Sequence, residues 1–216
     1  MVTRVKICCI NSLEEANIAI KHGASAIGLV GHMPSGPGVI FDDMIHTIAK
    51  SIPPPIGTFL LTSETSYSKI IDHHKKTLTN TIQIVDYVVD STYKKLRKAI
   101  PLVKIVQVIH VVNKNSVNEA IRVSELVDAI LLDSGNPNLK IKELGGTGRV
   151  HDWNVSRQIR EKVNVPVFLA GGLNAENVKN AIEIVQPFGV DVCSGVRTNG
   201  KLDEAKLIQF MQQVSG

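Results

Sequence analysis

The chain has 216 residues, 44% of them hydrophobic, which is enough to bury one sizeable core and suits a single α/β domain spanning 1–216. Its formal net charge of +4 comes from scattered Lys and Arg, with no run of like charges and no basic stripe interleaved with aromatics; no nucleic-acid partner is expected, whereas an anionic small molecule fits. No apolar segment is long enough to span a membrane and the first residues lack the apolar stretch of a secretion signal, so the expected location is cytoplasmic, with no membrane partner.

Short apolar runs alternate with segments of helical period. The runs at 4–10, 26–31, 56–62, 81–86, 104–111, 129–134, 166–172 and 189–195 are near-continuously apolar, the pattern of parallel strands covered on both faces. Between them, Ser12 and Glu15 have capping-box spacing ahead of an apolar face at Leu13, Ala16 and Ile20 that Gly23 ends. A second helical pattern, 42–52, stops at Pro53-Pro54-Pro55; others cover 67–77, 92–100, 116–127, 152–163, 175–186 and 203–214. Ser116 with Glu119 repeats the capping-box spacing. Eight strand–helix units with short connections predict a (β/α)8 TIM barrel, and no Gly-x-Gly-x-x-Gly turn follows the first strand to suggest an open dinucleotide-binding sheet.

In such a barrel the chemistry sits at the C-terminal ends of the strands. The polar residues there include Cys8, Cys9, His32, Gln83, Asp86, His110, Asp133, Ser134, Ser194 and Arg197. Asp133 ends the apolar run 129–132, where a carboxyl is costly unless it has a partner or a task. A loop ending Gly145-Gly146-Thr147-Gly148, together with Gly171-Gly172 and Ser194-Gly195 after the last two strands, offers bare backbone N–H groups to a phosphate. The plainer alternatives are that Asp133 caps a turn and that the glycines only make turns. Three cysteines, Cys8, Cys9 and Cys193, form neither a disulfide framework nor a zinc-ligand spacing, so reduced thiols and no metal are expected.

Several stretches together resemble the phosphoribosylanthranilate isomerase family: Lys6-Ile7-Cys8, the segment 23–28, Leu131-Leu132-Asp133-Ser134, Gly145-Gly146-Thr147-Gly148 with Asp152-Trp153, the segment 169–174 with Glu176-Asn177-Val178, and the segment 189–196. The resemblance spans nearly the whole chain. It implies a cofactor-free Amadori rearrangement of a phosphorylated aldosamine in tryptophan biosynthesis, catalysed by an intramolecular oxidoreductase that is a monomer or homodimer. By the same resemblance Cys8 is the general base and Asp133 the general acid; Gly146, Gly171, Gly172, Ser194 and Gly195 are the expected phosphate contacts from the glycine-rich loop and the usual anion site of such barrels. A thiol with an ordinary pKa of about 8.5 serves as a base near neutrality only beside a cation or a helix N-terminus, so one is expected near Cys8. Cys9 replaces the family's glycine and, by strand alternation, should point away from Cys8 as packing; Cys193 should likewise be core.

The departures concern the end of the substrate that carries the aryl carboxylate. Where the family has a carboxylate-binding arginine, this chain has Gly38 within Pro34-Ser35-Gly36-Pro37-Gly38; Gln83 is retained, but the family's His-Gly is replaced by Val85-Asp86. His32, Gln83, His110, Arg149 and Arg197 are the candidates for that end, Arg197 being either a replacement cation or a solvated loop arginine. The loss of the arginine leads to the expectation of weak activity on phosphoribosylanthranilate, better activity on a carboxylate-free phosphorylated aldosamine, or, if chemistry has been lost, a phosphometabolite-binding barrel.

Overall fold

A computed structural model describes residues 2–216. Eight parallel strands close into a barrel in sequence order: β1 (Arg4–Ile7), β2 (Ala26–Val30), β3 (Gly57–Thr62), β4 (Thr81–Ile84), β5 (Lys104–His110), β6 (Ala129–Asp133), β7 (Val167–Leu169) and β8 (Gly189–Val192). The barrel closes because β1 pairs with both β2 and β8, the latter with Lys6 opposite Asp191. Eight helices surround it: α1 (Leu13–Lys21), α2 (Asp42–Ser51), α3 (Tyr67–Thr77), α4 (Asp90–Ala99), α5 (Ser116–Ser124), α6 (Trp153–Lys162), α7 (Val178–Val185) and α8 (Glu204–Ser215). The expected (β/α)8 architecture is present. Among the described residues no helix is long and apolar enough to cross a membrane.

The near-continuous apolar runs reflect two cores. Val5, Ile7, Ile27, Leu29, Ile130 and Leu132 face the helices, whereas Ala26, Val30, Phe59, Leu61, Ala129, Leu131 and Phe168 fill the barrel. Phe59 and Phe168 meet edge to face, centroids 6.0 Å apart. Cys8, Gln83, Asp133 and Asp191 meet where the interior opens, at the strand C-termini.

Several strands are shorter than their apolar runs. The first stops at Ile7 because Cys9 turns into the left-handed region, φ 63°, although Cys8, Cys9 and Ile10 remain buried. The seventh stops at Leu169, before the turn at Gly171-Gly172. Helix α7 starts at Val178, later than the apolar period, because the Asn174 side chain first accepts from the backbone N–H groups of Glu176 and Asn177. Ser12 caps α1 as its spacing predicts, accepting from the Glu15 N–H at 3.1 Å. Ser116 does not cap α5; its hydroxyl donates to the His110 carbonyl and accepts from Val112. A 3-10 turn, Ser194–Val196, and a small antiparallel ribbon of β9 (Arg197–Thr198) and β10 (Lys201–Leu202) precede α8 and are not visible as patterns in the sequence.

A buried polar link ties α4 to the strand ends. The Tyr93 hydroxyl donates to Gln107 Oε1 at 2.7 Å, and Gln107 Nε2 donates to the carbonyls of Asp86 and Val108. Tyr93→Phe leaves the buried Oε1 without a donor, and should cost about 1–3 kcal/mol. The expected result is a lower urea midpoint at unchanged m; an unchanged midpoint would show that the bond contributes nothing net.

Candidate functional site

Alternation along β1 sends Lys6 into the barrel, and Cys8, just beyond the strand, faces the same way. A methyl group added at Gly28, on the neighbouring strand, would lie 2.8 Å from Cys8 Sγ and 3.0 Å from Lys6 Nζ, so the missing side chain at Gly28 makes room for both. Lys6 is fully buried, its ammonium 2.8 Å from Asp191 Oδ1 and 5.3 Å from the centre of the Phe59 ring. Burial alone works against that charge, but Asp191 and the neighbouring thiols outweigh it and hold the lysine's pKa above its ordinary value. Lys6 is thus a fixed cation beneath the Cys8 thiol, which meets the expectation of a cation there.

Asp133 stands across the cavity at the end of β6, 8% exposed, lining the same space as Cys8 and Asp191. Oδ1 accepts from the Ser134 N–H at 2.7 Å, so the turn-capping reading holds for one oxygen. The other faces Gly145, where an added methyl would lie 2.8 Å away. Burial raises the carboxyl's pKa, and the charge of Asp191 adds to this; the Ser134 N–H, His110 and Lys6 work in the opposite sense.

The other two thiols pack in the barrel cluster as expected, but Cys9 does not point away from Cys8. Cys9, Cys193 and Cys8 all line the cavity. Alternation fails at Cys9 because the chain has left the strand: with φ at 63° its side chain turns back toward Cys8 and Cys193. Hydrogen bonding to these two sulfurs, with burial, pushes the Cys9 thiol up, whereas hydrogen bonding from Cys9 draws Cys193 down against burial.

The segment 135–151 folds over the mouth. Asn136 and Glu143 form an antiparallel bridge, Ser134 Oγ lies 2.8 Å from Thr147 Oγ1, Ser35 Oγ donates to the Lys142 carbonyl at 2.6 Å, and Lys142 Nζ reaches Asp86 Oδ2 at 2.6 Å. Gly146, in the left-handed region, packs its backbone on Pro37, and a side chain there would strike the proline ring. Gly146, Gly148, Gly171, Gly172 and Ser194 line the cavity. Gly195 does not; it packs against the Leu173 carbonyl, so its lack of a side chain serves close approach of the seventh and eighth loops.

Of the five candidates for the other end, only Gln83 lines the cavity; it is buried and its Oε1 has no hydrogen-bond partner among the described residues. His32 is exposed and off the cavity. His110 bonds the Val85 carbonyl through Nε2 at 3.0 Å and faces a separate recess. Arg149 pairs with Glu143, and Arg197 is a buried partner of Glu15, neither a solvated loop residue nor a group lining the cavity. Sequence reasoning passed over Lys6 and Asp191. Lys6 had a legible signal, lying two residues before Cys8 and therefore on the same face, whereas Asp191 becomes meaningful only once β8 lies beside β1.

His151 supports the glycine turn from behind: Nε2 is 2.7 Å from Ser156 Oγ, and a methyl at Gly171 would lie 3.1 Å from Nδ1. Burial pushes its pKa down to about 4, with Asp152 opposing.

The arrangement is a (β/α)8 barrel with an acidic, thiol-lined cavity at the strand C-termini, the position that enzymes of this architecture use. The sequence model of N-(5′-phosphoribosyl)anthranilate (PRA) isomerase matches residues 5–213. A Methanosarcina mazei protein named N-(5′-phosphoribosyl)anthranilate isomerase 2 is 38% identical over 213 residues, 97% of this chain and 93% of its own. N-(5′-phosphoribosyl)anthranilate isomerase from Pyrococcus furiosus superposes with a TM-score of 0.82 at 30% identity over 98% of both chains. A phosphoribosyl anthranilate isomerase in complex with reduced 1-(o-carboxyphenylamino)-1-deoxyribulose 5-phosphate gives 0.80 at 27% identity over 98% of both. The chain belongs to the phosphoribosylanthranilate isomerase family.

Because the unfolded histidine titrates near pH 6.5 and the folded one near 4, the unfolded chain binds the extra proton between those values. His151 should thus contribute stability that is complete above pH 6.5 and lost as the pH falls toward 4. His151→Gln should flatten the decline in urea-unfolding free energy across that window; an unaltered slope would remove His151 as its source.

Proposed function

We propose that this chain is a phosphoribosylanthranilate isomerase of tryptophan biosynthesis, with Cys8 as general base and Asp133 as general acid. The observation that carries the residue assignment is that these two groups flank one cavity, with a buried ammonium at the thiol and a carboxyl whose pKa is raised by burial. Asp133 in its acid form protonates the ring oxygen as the C1–O bond breaks and the amine lone pair makes a C1–N double bond. The Cys8 thiolate then takes the proton from C2; the released electron pair forms a C1–C2 double bond and returns the lone pair to nitrogen. Tautomerisation of the enol, with a proton delivered to C1, gives the 1-amino-1-deoxyribulose. C1 is reduced and C2 oxidised within one molecule, so the reaction consumes no outside oxidant or reductant.

The phosphate end of this reading is the cluster of Gly146, Gly148, Gly171, Gly172 and Ser194, small residues at the usual anion site of such barrels. Gly195 acts there as a spacer. Gln83, with its free Oε1, accepts from a substrate hydroxyl or amine. Cys8→Ser and Asp133→Asn should each lower kcat by roughly two to four orders of magnitude in a fluorescence assay of phosphoribosylanthranilate consumption, the range for proton-transfer groups. Retained turnover in either variant removes that residue from the mechanism. Because the acid form of Asp133 is the working one, turnover should fall as pH rises through its raised pKa.

A second reading, a phosphorylated aldosamine without an aryl carboxylate, is favoured by one observation: among the described residues the charged side chains lining the cavity are Asp133 and Asp191, and Lys6 beneath them is already paired with Asp191. Gly38 lies against Cys9 and supplies no cation. A desolvated carboxylate without a cation gains little from the site. The expected result is that kcat/KM for phosphoribosylanthranilate and for its carboxylate-free aniline analogue differ by less than about tenfold, roughly 1.4 kcal/mol. A preference of several hundredfold for the carboxylate would show instead that a cation reaches it.

A further inference from the structure

Arg197 is far more enclosed than a loop arginine, 9% exposed, and its bonds converge on one turn. Nη2 donates to the carbonyls of Cys8, at 3.3 Å, and Cys9, at 2.5 Å. The guanidinium is itself held by the carboxylate of Glu15, Nη1 to Oε1 at 3.1 Å and Nη2 to Oε2 at 2.9 Å, and Nη1 also donates to the Gly200 carbonyl. Glu15 is fixed in turn by the N–H groups of Asn11 at 3.2 Å and Leu202 at 2.8 Å. The ribbon of β9 and β10 thus places both ends of the clamp, Arg197 on one strand and the Leu202 donor on the other.

The turn needs such a clamp. Cys9 has the left-handed backbone that a side chain disfavours, φ 63°, in a place where Gly38 leaves its Cβ and Sγ little freedom: an added methyl at Gly38 would lie 2.5 Å from one and 3.0 Å from the other. Strand β1 has already ended at Ile7, and the Cys9 carbonyl and that of Cys8 meet the buried Arg197 guanidinium. Flipping Cys9 out of this conformation would swing the preceding residue, and with it the Cys8 thiol, away from Lys6 and the cavity. Burial opposes the charge on Arg197, but the bonds to Glu15 outweigh it and keep the arginine firmly protonated; Glu15, despite its own burial, is held below the ordinary carboxylate range by the same bonds.

We propose that Arg197, locked by Glu15, is a positioning residue that holds the Cys8–Cys9 turn in its left-handed conformation and so aims the Cys8 thiol into the cavity. The role rests on the reading of Cys8 as the base. It also makes a specific link between two positions far apart in sequence: a cysteine in a left-handed turn requires the arginine, and a glycine, which takes that conformation without strain, requires it much less.

The test is a double-mutant comparison in turnover. Arg197→Met should lower kcat by roughly ten- to a hundredfold with KM changed less than about threefold, and Arg197→Lys, which keeps the charge but cannot span Glu15 and both carbonyls, should fall between. In a Cys9→Gly background the loss caused by Arg197→Met should shrink at least fivefold. The same fold-loss in both backgrounds, or a loss residing in KM, overturns the proposal. Should Arg197→Met lose its cooperative urea transition, the comparison is made with Arg197→Lys, whose loss must likewise shrink in the glycine background. Cys8→Ser assayed alongside separates this from the assignment of the base: wild-type turnover in that variant removes Cys8 as base, whereas the coupling between positions 197 and 9 is read from its own ratio.

Discussion

The buried ion pair between Lys6 and Asp191 is the constraint on which the rest depends. An ammonium inside a barrel is tolerable only with a counter-charge in direct contact, and removing one partner of such a pair typically costs about 3–5 kcal/mol. The counter-charge comes from β8, the strand that meets β1 when the barrel closes, so the first and last units of the chain are joined by the bond that charges the site. The space for the ammonium exists because the neighbouring strand has a glycine at position 28, and the floor beneath it is the face of Phe59. Lys6 lies between the Phe59 ring and the Cys8 thiol.

Around the cavity the molecule uses loops to replace what strands cannot provide. The segment 135–151 brings Gly145 to the Asp133 carboxyl, Thr147 to Ser134 and Lys142 to Asp86, closing the mouth between the second, fourth and sixth strands. The same closure desolvates Asp133, and desolvation is the main cause of its raised pKa. Fold and chemistry are therefore coupled through one loop: the contacts that cover the cavity are also those that bias the acid toward its protonated form.

The charges that the sequence places at the strand ends divide sharply once their partners are known. Arg149 is taken up by Glu143, Arg197 by Glu15, Lys142 by Asp86, and His110 by a backbone carbonyl. A chain with a net charge of +4 thereby has a cavity whose charged lining groups, among the described residues, are acidic, apart from the buried lysine beneath it. Positive charge in the composition says nothing about where positive charge is available.

What the sequence by itself determined was the architecture and the convergence of Cys8 and Asp133 on one cavity. Eight continuous apolar runs alternating with amphipathic segments have no better solution than a closed parallel barrel, and Cys8 and Asp133 stand at the ends of their runs, where that barrel puts them in one cavity. The glycines at 145–148 and 171–172 were legible for the same reason, since the ends of barrel strands are where small residues bring a backbone to a ligand. Only the tertiary structure decided the roles of Cys9, Gly195, Asp191 and Arg197. Cys9 depends on a backbone torsion that strand alternation cannot anticipate, Gly195 on a carbonyl from the preceding loop, and Asp191 and Arg197 on partners more than 180 residues away in sequence, Lys6 and Glu15. Periodicity reports which way a side chain points from its own strand; whether it is free or already paired is set by contacts made when the two ends of the chain meet.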